Sequence, residues 1–248
     1  MQMGKSILVT SGKGGSGKST FSVNCGAALA DRGRKVLLVD GDAGLRTLDL
    51  MLSVSDRVVY DLADVLAGRC EPIKAITATD IPGLEVLPAP LSAEDGQFEP
   101  EGMQQLCRGL ARYYDYLIID SAAGIGDAMR TSAAAADRAV VVSTCDPVSV
   151  RDADKTAEVL LENGVGDIRL VINMVRPRLI RRKMSYTLDG AIDGAAIRLI
   201  GVVPEDERVA AAAYEGKPVV TLGRSPAARA FINIAARIDG EEVPLMNL

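Results

Sequence analysis

Histidine is absent from this 248-residue sequence. That absence excludes Ser-His-Asp and Cys-His catalysis, so any chemistry must rest on carboxylates, lysines, hydroxyls, backbone amides or a bound metal. The four cysteines, Cys25, Cys70, Cys107 and Cys145, show no C-x-x-C spacing. A structural zinc site is therefore not expected, and the cysteines read as small buried or half-buried apolar residues. No stretch reaches about 18 uninterrupted apolar residues, and the N-terminus runs straight into a short strand without the layout of a signal peptide. The expected location is the cytoplasm. Excess positive charge is lacking too, since the formal net charge is −5. This argues against a protein whose whole surface coats nucleic acid, though not against a local basic patch.

What is present is apolar material in short strings. With 48% hydrophobic residues, the chain can bury one substantial core, and residues 1–248 are read as one α/β domain. Runs rich in Val, Ile and Leu recur at 6–10, 36–39, 84–87, 116–119, 139–143, 170–173 and 199–203. Nearly continuous apolar strings of this length are what strands covered on both faces require. Between them lie segments with helical spacing, such as Phe21, Cys25, Ala28 and Leu29, with Gly33 placed to close the helix. Strand then helix, repeated, implies a doubly wound, mostly parallel twisted sheet with helices on both faces and ligands at the carboxyl ends of the strands. The least periodic segment, 88–102, is expected as a surface loop before a helix over 103–113. The apolar stripe Phe231, Ile234, Ala235 and Ile238 is expected to dock on the core.

Directly after the first strand comes SGKGGSGKST, residues 11–20, which satisfies G-x-x-x-x-G-K-S/T with Gly12, Gly17, Lys18 and Ser19. Glycines Gly12, Gly14, Gly15 and Gly17 let the backbone fold back, so that amides from Ser16 to Thr20 converge on phosphate oxygens at a helix N-terminus. Lys18 is expected to reach the β and γ phosphates, and the Ser19 hydroxyl to ligate Mg²⁺, a hard cation that prefers oxygen donors. The expected cofactors are thus ATP and Mg²⁺. Such a demanding pattern between a strand and an amphipathic helix is a strong signal.

Lys13 is unusual, because an ordinary phosphate loop does not need a second lysine there. By itself it could be a solvated surface charge. GKGGSGKS, however, resembles the deviant Walker A motif of the MinD/ParA family of ATPases. The resemblance implies that Lys13 reaches across a dimer interface to the partner's nucleotide, making hydrolysis depend on assembly.

Two aspartate clusters follow. VDGDAGLRTLD places Asp40 and Asp42 at the carboxyl edge of the second strand, although D-G-D alone is a common turn. The resemblance makes this segment switch I, with Asp42 orienting the attacking water and Asp40 nearer the metal's water shell. YLIID ends in Asp120, which with the phosphate loop reads as a Walker B carboxylate holding Mg²⁺ directly or through water. SAAGIGD then resembles switch II, with departures: Ala122 stands where the family commonly has proline, and Gly126-Asp127 replaces the usual glutamate.

Further strings point to the MinD branch: GLRTLDL (44–50), RVVYDLADVLAG (57–68), DPVSVRDADK (146–155) and VVPEDERV (202–209). By analogy Asn173 and Pro204, Glu205 and Asp206 face the adenine. Asp152 and Asp154, expected on an exposed helix face, belong by analogy to a partner-docking surface. An equally simple reading is a solvated helix start beside the positive dipole end. The implied function is a slow ATPase whose MgATP-dependent homodimer recruits a MinC-like division inhibitor or a MinE-like regulator in division-site placement, with the inner face of the membrane as a second location.

The ParA branch is the alternative: a nucleotide-dependent scaffold on DNA or another cargo. Its basic surface has one candidate, RPRLIRRK, Arg176 to Lys183, which reads more simply as a solvated loop near the nucleotide. A relative that binds an iron–sulfur cluster is disfavoured, because no cysteine falls between Asp120 and Ala139. Family members of the MinD branch end in a basic amphipathic helix that lies on the membrane. The acidic tail 239–248 here, DGEEVPLMNL, carries no lysine or arginine and is expected to lack that anchor.

Overall fold

The computed structural model describes residues 3–92, 98–182 and 187–246. Each apolar string becomes a strand: β1 (Lys5–Thr10), β2 (Val36–Gly41), β4 (Leu84–Leu87), β5 (Tyr116–Ser121), β6 (Arg138–Thr144), β7 (Asp167–Val175) and β8 (Arg198–Pro204). They form one eight-stranded sheet in the order β3-β4-β2-β5-β1-β6-β7-β8. All neighbours pair in parallel except β3 (Thr77–Ala78), a two-residue edge strand antiparallel to β4. No apolar string announced β3, because so short an edge strand buries almost nothing.

Alternation along the strands explains why the strings are apolar throughout. Ile7, Val9, Val36 and Leu38 point to one face, where they pack with α1 (Lys18–Asp31) and α11 (Pro226–Ile238). Leu8, Leu37, Val39 and Ile119 point to the other, against α5 (Pro100–Leu110), α6 (Asp127–Ala134), α7 (Pro147–Glu162) and α9 (Leu188–Ala195). Phe21 on α1 and Phe231 on α11 meet with ring centroids 6.2 Å apart and planes tilted by 58°. Both are fully buried, so the expected stripe on α11 does dock on the core. Gly33, at φ 81°, closes α1 by donating its backbone N–H to Ala30 O at 2.8 Å.

The remaining elements shape the rims: α2 (Leu48–Met51), α3 (Leu62–Leu66), α4 (Pro72–Ala75), α8 (Pro177–Arg181) and α10 (Glu207–Tyr214). Two expectations about boundaries are corrected here. Helix α5 begins at Pro100, three residues earlier than the apolar period suggests, because proline at the first helical position is preset for helix and its missing N–H goes unneeded. The same effect makes a short helix, α8, of the segment after Arg176 that read as a loop. Residues 93–97 of the expected loop, Lys183 of the basic cluster, and residues 247 and 248 of the tail lie outside the described residues.

The sheet order places the site. Strand β1 lies between β5 and β6, so successive crossovers diverge to either side of it, and the crevice at its carboxyl end opens there. No helix among the described residues is long and apolar enough to cross a membrane.

Candidate functional site

The loop from Ser11 to Lys18 leaves β1 and enters α1 with Gly15 at φ 79° and Gly17 at φ 91°. Both angles are strained for residues with a Cβ. At Gly17 a Cβ would also stand 2.3 Å from the Asn173 side-chain nitrogen. At Gly12 it would stand 2.7 Å from both Cβ and O of Asp152 on α7. Gly14 has open space around it, and Gly14 and Gly15 are exposed. Helix α1 starts without a side-chain cap, since Gly17 occupies the N-cap position. Its first amides are therefore left for an anion.

Lys18 is buried at the start of α1, Ser19 and Thr20 are half-buried, and Lys13 is exposed on the loop. Lys13 has no ion-pair partner within 4 Å among the described residues. Its charge acts on Asp146, the N-cap of α7. Burial would raise the Asp146 carboxyl, but bonds from Thr144 and Ser149, together with Lys13, outweigh it and hold the group at about 2.

Asp120 sits at the end of β5, fully buried. Its Oδ1 accepts from the Ser22 hydroxyl at 2.9 Å, while its Oδ2 has no hydrogen-bond partner among the described residues. Burial pushes its pKa up to about 6, against the pull of the Ser19 and Ser22 hydroxyls and Lys18. Asp40, beside it across the β2–β5 pairing, is raised to about 7 by burial and by the Asp120 charge. Its oxygens accept the amides of Asp42 (3.0 Å), Thr47 (3.0 Å) and Leu48 (3.1 Å). Asp40 thereby fixes the backbone of the segment that follows. Asp42 is half-buried, raised by burial and lowered by Lys18.

The switch II segment is tied to the loop by one bond, from Gly124 N to Ser11 O at 2.9 Å. Asn173, at the end of β7, donates its side-chain nitrogen to Ser16 O at 2.9 Å and so braces the loop from behind. Pro204 ends β8, and Glu205 is bound by Arg176 through two contacts of 2.6 Å. Asp206 caps α10 at Arg208 N (3.0 Å) and also accepts Ala227 N (3.2 Å) from the first turn of α11. Asp152 and Asp154 are half-buried rather than freely exposed, which corrects the expected surface position. Asp152 is packed against Gly12 because α7 lies directly behind the loop.

Ser22, one turn into α1, carries no motif in the sequence for its bond to Asp120. Asp146 and Gly124 stand inside the strings 146–155 and 121–127, but only the fold shows the Lys13 charge acting on Asp146 and the bond from Gly124 N to Ser11 O.

The groups fit a nucleotide with its metal. Thr10 Oγ1, Ser16 Oγ and Asp120 Oδ2 are all buried around the loop without hydrogen-bond partners among the described residues. Orphaned oxygens of this kind are costly unless a bound group satisfies them. With uncapped α1 amides and buried Lys18 they form a cradle for phosphate and a hard cation. None of the four cysteines forms a disulfide, and no cluster of three or more His, Cys, Asp or Glu side chains suited to a metal occurs among the described residues.

The parallel sheet, the phosphate loop at its switch point and the carboxylate at the end of β5 define a P-loop nucleoside triphosphatase. Comparison with known proteins resolves the family. A family model for ParA, described as an NUBPL iron-transfer P-loop NTPase, matches residues 2–239. The septum site-determining protein MinD of Synechocystis sp. is 39% identical over 247 residues, covering 99% of this chain and 93% of that protein. MinD of Bacillus subtilis is 38% identical, with the same coverage. Among solved structures, the MinC:MinD cell division protein complex of Aquifex aeolicus superposes with a TM-score of 0.91 at 33% identity, covering 98% of this chain and 99% of that one. MinD of Pyrococcus horikoshii, complexed with Mg-ADP, gives 0.87 at 31% identity, with 96% and 97% covered. The chain belongs to the MinD/ParA family of deviant Walker A ATPases and is MinD-like. It is an ATP hydrolase that uses ATP with Mg²⁺.

Proposed function

We propose that the protein works as a switch, in which MgATP held between two copies stabilises a homodimer, hydrolysis returns it to monomer, and only the dimer recruits a partner. The observation that carries this reading is the division of labour between two loop lysines. Lys18 is buried in the cradle, whereas Lys13 stands exposed beside it with no ion-pair partner among the described residues. A cation held at the rim can serve the triphosphate of a neighbouring subunit, where it stabilises charge that develops in transfer.

The other roles follow from position. The loop amides and Lys18 bind the phosphates. Ser19 and the free oxygen of Asp120 hold Mg²⁺, which when bound supplies a hard positive charge that neutralises the phosphate oxygens. Asp42 orients and accepts a proton from the attacking water, and its raised pKa suits it to that task. Asp40 is assigned a positioning part in the metal's surroundings, through the three amides that it anchors. Asn173 positions the loop and, with the Pro204 to Asp206 segment, borders the adenine. Movement at the Gly124 to Ser11 bond reports loss of the γ phosphate to switch II.

The relatives supply the setting. The solved MinC:MinD complex from Aquifex aeolicus supports a MinC-like partner and a role in division-site placement, and to Asp152 and Asp154 on α7 we assign a part in the docking region. The energetics are those of linkage: ligand shared by two subunits favours the paired state by its differential affinity for it. Asp42→Ala is expected to bind ATP, stop turning over and elute as dimer in size exclusion. A variant that stays monomeric with ATP bound would contradict the switch.

A further inference from the structure

The opposite end of the sheet carries a second charged site. Arg138 and Asp167 pair in register at the starts of β6 and β7, and Arg169 pairs with Arg198 of β8. Residues two apart share a face, so Arg138, Asp167, Arg169 and Arg198 all lie on the α11 side of three adjacent strands. Arg237, in the last turn of α11, closes the group from above. The four arginines line a cavity of about 560 Å³, together with Glu241 and Glu242 of the segment that follows α11.

These guanidiniums are short of counter-charge. Arg138 and Arg169 share one carboxylate, Asp167, at 2.5 and 2.7 Å. Among the described residues Arg237 donates only to neutral carbonyls: Ile200 O (2.8 Å), Val243 O (2.9 Å) and Pro244 O (2.7 Å). The Arg198 side chain has no hydrogen bond or ion pair among the described residues. The tail's other acids, Asp239 and Glu241, are taken by Arg32 and Arg34. Four guanidiniums, planar donors with a fixed fork suited to oxyanions, thus line a cavity in which Asp167 is the one carboxylate ion-paired to any of them among the described residues, although Glu241 and Glu242 also line it.

We propose that this cavity is a binding site for a phosphate-class oxyanion, with Glu242 as an internal competitor for it. The nucleotide cradle lies at the carboxyl ends of the same strands, roughly 20–30 Å away at about 3.3 Å per strand residue, so the two sites are separate. A free phosphate and an acidic lipid headgroup present the same chemistry to the cavity.

The test keeps the nucleotide cradle filled with MgADP and follows arginine side-chain Nε–Hε resonances while inorganic phosphate replaces chloride at constant ionic strength. Saturable shifts are expected in the signals of Arg138, Arg169, Arg198 and Arg237. Arg169→Gln and Arg198→Gln should each weaken the response about tenfold, the loss expected when one charged hydrogen bond is removed. Glu242→Gln should strengthen it. Arg198→Gln removes no internal contact, so a folding defect does not confound it. In a second arm, co-sedimentation with phosphatidylglycerol vesicles but not phosphatidylcholine vesicles, lost in the same two variants, would assign the headgroup as the source. Saturation by free phosphate without vesicle binding would assign the small ion. Shifts no larger than chloride produces, together with no variant-sensitive vesicle binding, would overturn the proposal.

Discussion

Replacing Asp120 with asparagine should abolish turnover yet stabilise the nucleotide-free fold. The carboxyl is fully buried, and its pKa rises from an ordinary 3.8 to about 6, mainly because burial penalises its charge. An acid raised in the folded state gives no penalty below its unfolded pKa, where both states are protonated. The penalty grows as pH climbs through 3.8 to about 6 and is complete above that. At about 1.4 kcal/mol per pH unit, it amounts to on the order of 3 kcal/mol at neutral pH. Asparagine removes the charge and keeps an acceptor for Ser22, but its amide stands where Asp120 Oδ2 has no partner, which gives back about 1 kcal/mol. The net gain is about 2 kcal/mol, or roughly 4–8 °C in Tm for a domain of this size. Thermal unfolding without nucleotide or Mg²⁺ should show that gain at pH 7.5 and a smaller one at pH 5. With MgATP the order should reverse, because the wild type gains ligand-binding stability that the variant lacks. A variant less stable than wild type at pH 7.5 without nucleotide, or a gain independent of pH, would refute the reasoning.

Gly17→Ala is expected to abolish nucleotide binding in calorimetry, since its Cβ would meet Asn173 at 2.3 Å on a backbone at φ 91°. Asn173→Ala removes the brace on Ser16 O and should cost about 1–2 kcal/mol of stability in denaturant titration while weakening ATP binding. Phe231→Ala opens the junction of α1 and α11 and should cost about 3–5 kcal/mol, with the nucleotide site intact in whatever fraction remains folded.

Much of this architecture is readable from the chain because its signals are local. Strands buried on both faces must be apolar throughout, so β1, β2 and β4 to β8 announce themselves, whereas two-residue β3 has nothing to bury. The phosphate loop is legible for a similar reason: its geometry demands particular residue types in consecutive positions. Asp40 shows what is lost. From sequence it reads as a carboxylate near a metal, and only the fold reveals three amides of its own segment on its oxygens. Asp152 likewise reads as an exposed acid on a helix start, until α7 is found against Gly12. Contacts such as Ser22 to Asp120, 98 residues apart in the chain, have no local signature at all.

The central claim is that Lys13 acts on its neighbour's nucleotide, and subunit mixing tests it most directly. Lys13→Ala lacks the lysine to lend, and Asp42→Ala lacks the group that activates water but keeps its own Lys13. Each should be inactive alone, and their mixture should hydrolyse ATP, because the Asp42 variant lends its lysine to the intact site of the other. A mixture as inactive as its parents, or full turnover by Lys13→Ala alone, would contradict the account.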